Sequence, residues 1–388
     1  MNMLFFTDSD VYALRGGIDR VVGVLSNSLI KQDGYKCFLA YFDKTPNEQV
    51  APFEKRVQID KENFLTQFSD FIAKNNIDKI VVSAANKQNI KFLLPQIKQI
   101  NKNIPLYFWF HSTPAFELSP LNFKVAVYRI FHNKNKISNL KKMLFSVFPK
   151  KIGILFLRKK YAFVYNYADK IVLLSKHYVN NYAACVGKIN EKKITAIGNS
   201  LSFEVFADEK NITEKEKIVL IVARIDEDSK RISLALKIWQ QIEQQDLFLD
   251  WKLIIVGSGI DEDYCRRLAK KMRLKNCIFE GQQNSLDYYR RASIFMMTSS
   301  NEGFPMTLGE AQQMGVVPIA FDSFGAVHDI IENDFNGIIV PKNNHKEFVN
   351  QLVELMQNTE KRQTLAKNAL ESCKQFSIEN IVKKWKTF

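Results

Sequence analysis

The stretch Ala292-Ser-Ile-Phe-Met-Met-Thr298, followed by Glu302-Gly-Phe-Pro-Met-Thr-Leu-Gly-Glu310, reads as a buried strand that hands over to a helix. The apolar run has strand length, and Pro305 stands where a helix begins, so the helix is expected over Met306 to Met314. A helix N-terminus presents unpaired N–H groups and partial positive charge, which suits a phosphate. Glu302 lies on the loop before the helix and Glu310 lies within it, eight residues apart. Both carboxylates can then point into one cleft, where they would hold different parts of a polar ligand such as a sugar and a ribose. The same short pattern also fits a capped surface helix with ordinary solvated charges, so its meaning depends on the rest of the chain.

Strands and helices alternate along nearly all of the sequence, the mark of parallel sheets with crossover helices. A first series of strands reads at Leu4–Phe6, Cys37–Tyr41, Lys79–Ser83, Leu106–Phe110, Ile171–Leu174 and Ile194–Ile197. Between them Ile18, Val21, Val22, Leu25 and Leu29 form one helical apolar stripe, and Phe64, Phe68, Phe71 and Ile72 form another. A second series starts at Ile218–Val222 and continues with Leu253–Val256, Cys277–Phe279, Ile294–Met297, Val317–Ala320 and Gly337–Val340. The fold class is therefore α/β with two doubly wound, Rossmann-like domains, as a length of 388 residues also suggests. Their junction is expected in the polar, acidic stretch Asn199 to Lys215. The tail Phe376 to Phe388 carries Ile378, Ile381, Val382 and Trp385 at helical spacing and is expected to pack back on the first domain.

An apolar fraction of 46% with 25% charged residues describes a soluble protein with ample core. No apolar run approaches the ~20 residues that span a bilayer, and the start, MNMLFFTDSD, lacks the pattern of a secretory signal. Cys37, Cys185, Cys265, Cys277 and Cys373 are scattered, which argues for reduced thiols in the cytoplasm and against a zinc site.

The formal charge of +14 is uneven. From Leu118 to Ala168 there is no Asp or Glu, while Lys124, Arg129, Lys134, Lys136, Lys141, Lys142, Lys150, Lys151, Arg158, Lys159 and Lys160 alternate with aromatic and aliphatic residues. Such a segment suits an anionic membrane surface or nucleic acid, and a solvated helical hairpin would look the same. Because it interrupts the alternation between Leu106 and Ile171, it reads as a helical insertion at about 121–165, at the carboxyl end of a strand where α/β folds bind ligands.

Further candidates follow other strands. Gly16-Gly17 opens a helix after the first strand and lets backbone approach a phosphate or sugar, although it is not a GxGxxG fingerprint. Arg224 and Lys230 follow the first strand of the second series and would grip a diphosphate from two sides, the planar fork of Arg and the point charge of Lys complementing each other. His111 ends the strand-like LYFWF run and is placed to meet a sugar hydroxyl. His132, His177, His328 and His345 show no ligand spacing. Asp-x-Asp strings occur at Asp8–Asp10, Asp226–Asp228 and Asp261–Asp263; in one class of glycosyltransferases such a pair holds a divalent metal, but here the Arg224/Lys230 pair would do that work, so no metal and no cofactor is expected.

Together these motifs resemble the family 4 glycosyltransferases of the GT-B fold, the retaining enzymes that build bacterial surface glycans. The likeness runs nearly end to end: Gly16-Gly17-Ile-Asp-Arg-Val, His111, Ala168-Asp-Lys-Ile-Val-Leu-Leu-Ser-Lys-His177, Lys193-Ile-Thr-Ala-Ile-Gly-Asn199, Arg224 with Lys230, and Glu302 with Glu310. The family commonly has Pro-Asn-Gly or Pro-Asn-Pro where this chain has Gly198-Asn199-Ser200, Gly-Arg where it has Ala223-Arg224, and Glu at the position of Asp19. The resemblance implies two domains facing each other across a cleft: an acceptor domain at 1–205, a nucleotide-sugar donor domain at 206–375 and a crossing helix at 376–388. It implies Glu302, His111, Arg224 and Lys230 as catalytic residues, with Gly16, Gly17, Met306, Thr307 and Glu310 joining Arg224 and Lys230 in donor binding. Within that set Glu302 meets the transferred sugar, Glu310 the ribose, and the amides around Met306 and Thr307 the phosphates.

The expected reaction moves a sugar from a nucleotide sugar to a hydroxyl of a glycan or lipid-linked acceptor, with retention and without metal. The expected place is the inner face of the cytoplasmic membrane, with an anionic membrane surface and not nucleic acid as partner. A sugar-nucleotide epimerase or a phosphorylase of the same fold is one alternative. A basic nucleic-acid-binding protein is another, which would leave Glu302 and Glu310 without a purpose.

Overall fold

The computed structural model describes residues 1–12, 17–43, 52–100, 102–118, 123–131 and 150–387. They form two compact units, one of residues 1–115, 154–200 and 376–388, the other of residues 116–153 and 201–375. Each is built on one parallel sheet with helical crossovers.

In the first unit the strands are β1 Asn2–Ser9, β2 Lys36–Asp43, β3 Lys55–Gln58, β4 Lys79–Ser83, β5 Leu106–Trp109, β6 Lys170–Leu173 and β7 Ile194–Ala196. Their order is β3-β2-β1-β4-β5-β6-β7. Strand β4 is buried along its whole length because helices cover both faces, which is why it reads as a continuous apolar run. Strand β3, Lys-Arg-Val-Gln, escapes sequence reading: it is a four-residue edge with partly exposed side chains and no apolar run to mark it. The core is rich in phenylalanine, with Phe64 stacked on Phe68 at 4.9 Å and Phe6 edge-on to Phe42 at 5.0 Å.

The second unit holds β8 Glu216–Val222, β9 Lys252–Val256, β10 Cys277–Gly281, β11 Ala292–Met297, β12 Val317–Phe321 and β13 Ile338–Val340, in the order β10-β9-β8-β11-β12-β13. Every residue of β11 is buried, and Phe295 pairs with Leu220 of β8 and Pro318 of β12. In both sheets the strand order reverses once, between β1 and β4 and between β8 and β11. Ligands of doubly wound folds bind beyond the carboxyl ends of the strands at such a reversal.

The tail forms the helix Ile378–Lys386, started by Ser377 accepting from the Asn380 amide. It belongs to the first unit, where Ile381, Val382 and Trp385 are buried and Trp385 meets Trp109 edge-on at 4.7 Å.

The units divide between Ser200 and Leu201, inside the stretch 199–215, and from Leu201 onward the chain is part of the second unit rather than a free connection. Ala207 donates to Gln313 O at 3.0 Å, Gln313 Nε2 donates to Phe203 O at 2.8 Å, and a short helix Glu209–Thr213 buries Ile212. Polarity marked this stretch as a linker, but a few apolar anchors suffice to dock it.

The basic segment also divides. The helix Lys150–Tyr167 runs on into the first unit as the crossover that parallel β5 and β6 require, with Tyr161 and Val164 in the core and Tyr161 stacked on Phe110 at 5.8 Å. The described residues of 116–153 group with the second unit, to which the helix Phe123–Phe131 is fastened by Arg129. Residues 132–149, including Lys134, Lys136, Lys141 and Lys142, lie outside the described residues.

Candidate active site

Strands β8 and β11 are neighbours, so the loops leaving their carboxyl ends lie side by side. The β8 loop turns tightly: Lys230 N donates to Asp226 O at 2.7 Å. It is then stitched to the β11 loop by Ser300 N to Ser229 O (2.7 Å), Ser300 Oγ to Asp228 O (2.8 Å) and Thr298 Oγ1 to Lys230 O (3.0 Å). Arg231 sits in the left-handed region at φ 52°, an uncommon place for a long side chain, and is held there by Nε donating to Thr298 O at 2.7 Å.

This stitching brings together residues 72 apart in sequence: Lys230 Nζ donates to Glu302 Oε1 at 2.5 Å in a largely buried ion pair. Arg224 reaches outward instead, its side chain 72% exposed and tethered only at 3.3 Å to Asp226 Oδ2. The helix Met306–Gln313 starts just beyond, behind Pro305, which has no polar side chain to cap its amides. Met306 and Thr307 form its first turn and are half-buried.

Glu310 lies inside that helix at 1% exposure, its Oε1 accepting from the Ser202 hydroxyl.

Sequence reading missed several supports of this site. Gly257, after β9, has φ 127°, and a Cβ there would stand 2.0 Å from Ala223 O, so only glycine lets the β9 loop press against the β8 loop. The polar run Thr298-Ser-Ser300 after a buried strand was the signal for the stitching.

The Asp-x-Asp strings have other employment. Asp8 accepts from Ala85 N at 2.6 Å, Asn86 N at 2.8 Å and Asn89 Nδ2 at 2.9 Å, joining β1 to the loop after β4. Asp10 pairs with Arg56. Asp226, Asp228 and Asp261 converge on Arg129, while Asp263 is exposed. Among the described residues no group of three His, Cys, Asp or Glu could hold a metal ion.

In the first unit Gly17, at φ 73°, opens the helix Ile18–Asp33; Gly16 lies outside the described residues. His111 follows β5, with Nε2 3.2 Å from Ser83 Oγ and its ring 4.5 Å from Trp109. Burial pushes its imidazole down to about 3, so at neutral pH it is an uncharged hydrogen-bonding group.

The folded state refuses a proton that the unfolded chain takes up near pH 6.5, so stability is full above that pH and is lost as pH falls towards 3. The slope from this group reaches at most ~1.4 kcal/mol per pH unit. Urea melts should show His111→Asn losing less stability than the parent between pH 6.5 and pH 4. Parallel curves for the two proteins would show that His111 is not the group being resisted.

Two parallel-sheet, Rossmann-like units, the second with a cation–carboxylate pair at its strand reversal, define a protein of the GT-B architecture. HepE of Anabaena in complex with UDP-glucose superposes with a TM-score of 0.72, covering 100% of this chain and 98% of its own, at 14% identity, which speaks to fold alone. Residues 202–372, within the second unit, match the family described as Glycosyl transferases group 1.

Among characterised relatives, the amylovoran biosynthesis glycosyltransferase AmsD of Erwinia amylovora is 30% identical over 240 residues, 59% of this chain and 64% of its own length. A second is the N-acetylgalactosamine-N,N'-diacetylbacillosaminyl-diphospho-undecaprenol 4-alpha-N-acetylgalactosaminyltransferase of Campylobacter jejuni. It is 23% identical and the match covers 76% of this chain and 79% of that protein. The chain thus spans under two thirds of the first relative's length.

Proposed function

We propose that the chain is a family 4 retaining glycosyltransferase that takes a nucleotide-sugar donor and glycosylates a glycan or lipid-linked acceptor in bacterial surface-polysaccharide assembly. The carrying observation is the Lys230–Glu302 pair at the β8/β11 reversal, with Arg224 beside it and the helix Met306–Gln313 beyond. Relatives that assemble amylovoran and that act on a diphospho-undecaprenol acceptor support the setting.

In this reading Lys230 and Arg224 receive the charge that builds on the departing diphosphate, with the first-turn amides at Met306 and Thr307 on the phosphates. Glu302 meets the transferred sugar and Glu310 the ribose. The acceptor oxygen bonds to the anomeric carbon from the face that the diphosphate leaves, the carbon–oxygen bond to phosphate breaks, and a phosphate oxygen takes the acceptor proton. Gly17 and His111 are assigned to the first unit's share of sugar binding. No metal is required, because the two cations neutralise the leaving group.

The test is a screen of nucleotide sugars by thermal shift, in which the true donor at 100 times its Kd adds ~2.7 kcal/mol of stability. Transfer to acceptor should follow and survive excess EDTA, with the product linkage retained. A nucleotide-dependent epimer without nucleotide release, or activity restored only by Mn²⁺ or Mg²⁺, would sink the reading.

The basic segment is proposed to rest on anionic lipid at the inner face of the cytoplasmic membrane. Among the described residues no helix is long and apolar enough to cross a membrane. The ends of the segment expose apolar side chains beside cations: Phe131 is 81% exposed, and Leu155 is exposed close to Arg158 and Lys159. The protein should sediment with phosphatidylglycerol vesicles, ignore neutral ones and dissociate as salt rises. Lys141, Lys142, Lys150 and Lys151 changed to Glu should abolish sedimentation and leave donor binding intact. Full sedimentation of that variant would move the membrane surface elsewhere.

A further inference from the structure

Arg129 is one of eleven cations in a carboxylate-free segment, yet it is 3% exposed. Its guanidinium gathers three carboxylates: Nε donates to Asp261 Oδ1 at 2.8 Å, Nη1 to Asp228 Oδ2 at 2.9 Å, and Nη2 to Asp226 Oδ1 at 3.4 Å and to the second oxygen of Asp261. Asp261 is fully buried and also accepts from Glu227 N at 2.8 Å, so the clasp reaches the backbone of the loop between Arg224 and Lys230. Tyr128, the neighbour of Arg129 in the chain, packs on Tyr264 at 5.1 Å and seats the helix.

Asp226 stands between two guanidiniums, with Arg129 on one oxygen and Arg224 at 3.3 Å on the other. Without Arg129, Asp226 would face Arg224 alone, and Asp228 and Asp261 would each lose a guanidinium partner beside the loop. Asp226 would hold Arg224 more tightly, and excess negative charge would stand beside any bound diphosphate. Both effects oppose an anionic ligand.

We infer that Arg129 is a positioning residue for the donor loop: by taking up charge of Asp226, Asp228 and Asp261 it limits the negative field against which Arg224 and Lys230 meet a nucleoside diphosphate. The inference rests on the donor site proposed above. It also gives the charge of the basic segment a second use, since one of its cations serves the second unit from within.

The experiment titrates UDP, GDP, ADP and CDP into the full chain and into Lys230→Ala, Arg129→Met, Arg129→Lys, Asp228→Asn and the double variant Arg129→Met/Asp228→Asn. For the nucleotide that the parent binds, Arg129→Met should raise Kd about tenfold or more at low salt. Arg129→Lys keeps the charge and should recover much of that loss. Asp228→Asn should recover part of it in the double variant and should tighten binding by itself. The gap between Arg129→Met and the parent should narrow at high salt, because charge repulsion is screened and a collapsed loop is not.

Parent-like binding by Arg129→Met overturns the inference, as does a loss that neither salt nor Asp228→Asn moves, which would make the clasp structural only. Should Arg129→Met fail to fold, Asp228→Asn with unchanged affinity overturns it equally. A parent that binds none of the four, or a Lys230→Ala variant that binds as the parent does, removes the donor site itself and this inference with it. Loss in Lys230→Ala beside parent-like Arg129→Met removes the inference alone.

Discussion

Lys230→Ala should lower kcat/KM for sugar transfer by about thirtyfold to a thousandfold, the equivalent of ~2–4 kcal/mol of transition-state stabilisation. The ammonium is partly buried against Glu302, so its field is weakly screened and its position is fixed before a donor arrives. A group so placed needs little reorganisation when charge develops on the leaving diphosphate, and its removal is felt in kcat as well as in KM. Arg224→Ala should cost less, since its exposed side chain must be recruited from solvent and from Asp226. Steady-state kinetics with the donor concentration varied, with thermal melts to confirm folding, separates the two. Full activity in both variants would remove the diphosphate clamp.

The two glutamates should part company. Glu302→Gln loses the negative charge that faces Lys230 and is expected to reduce kcat about a hundredfold with a small change in KM. Glu310→Gln is expected to raise the donor Kd about tenfold and leave turnover nearly intact, because a ribose contact is made in ground and transition states alike. Ser202 sharpens the second half: it donates to Glu310, so Ser202→Ala frees that oxygen for the donor and should not weaken binding. Indistinguishable kinetic profiles for Glu302→Gln and Glu310→Gln would contradict the division of roles. Weakened donor binding in Ser202→Ala would instead make the hydroxyl part of the site.

Much of this protein is legible in its sequence, for identifiable reasons. Strands such as β4 and β11 are covered on both faces, so burial selects every side chain along them and leaves an unbroken apolar run. The helix Met306–Gln313 announces itself by Pro305, and the tail helix by Ile381, Val382 and Trp385 at one-turn spacing. Because chain order and right-handed crossovers restrict how such pieces assemble, two parallel-sheet units follow from local pattern. The loops at the strand reversals, with Arg224, Lys230 and Glu302, follow with them.

Tertiary structure alone decided which charges meet. Lys230 and Glu302 become partners only because β8 and β11 are adjacent in the sheet, and sequence separation carries no trace of that distance. Arg129 looks like its ten neighbouring cations in the chain, yet among the described residues it is the one drawn into Asp226, Asp228 and Asp261. The linker-like stretch after Ser200 is likewise claimed by the second unit through the buried Ile212 and hydrogen bonds from Ser202, Ala207 and Lys215. Hydrophobic periodicity is a local property, written residue by residue, and so the sequence determined the elements. The pairing of a buried charge depends on desolvation and on what the fold brings within about 3 Å, and only the folded chain settles that.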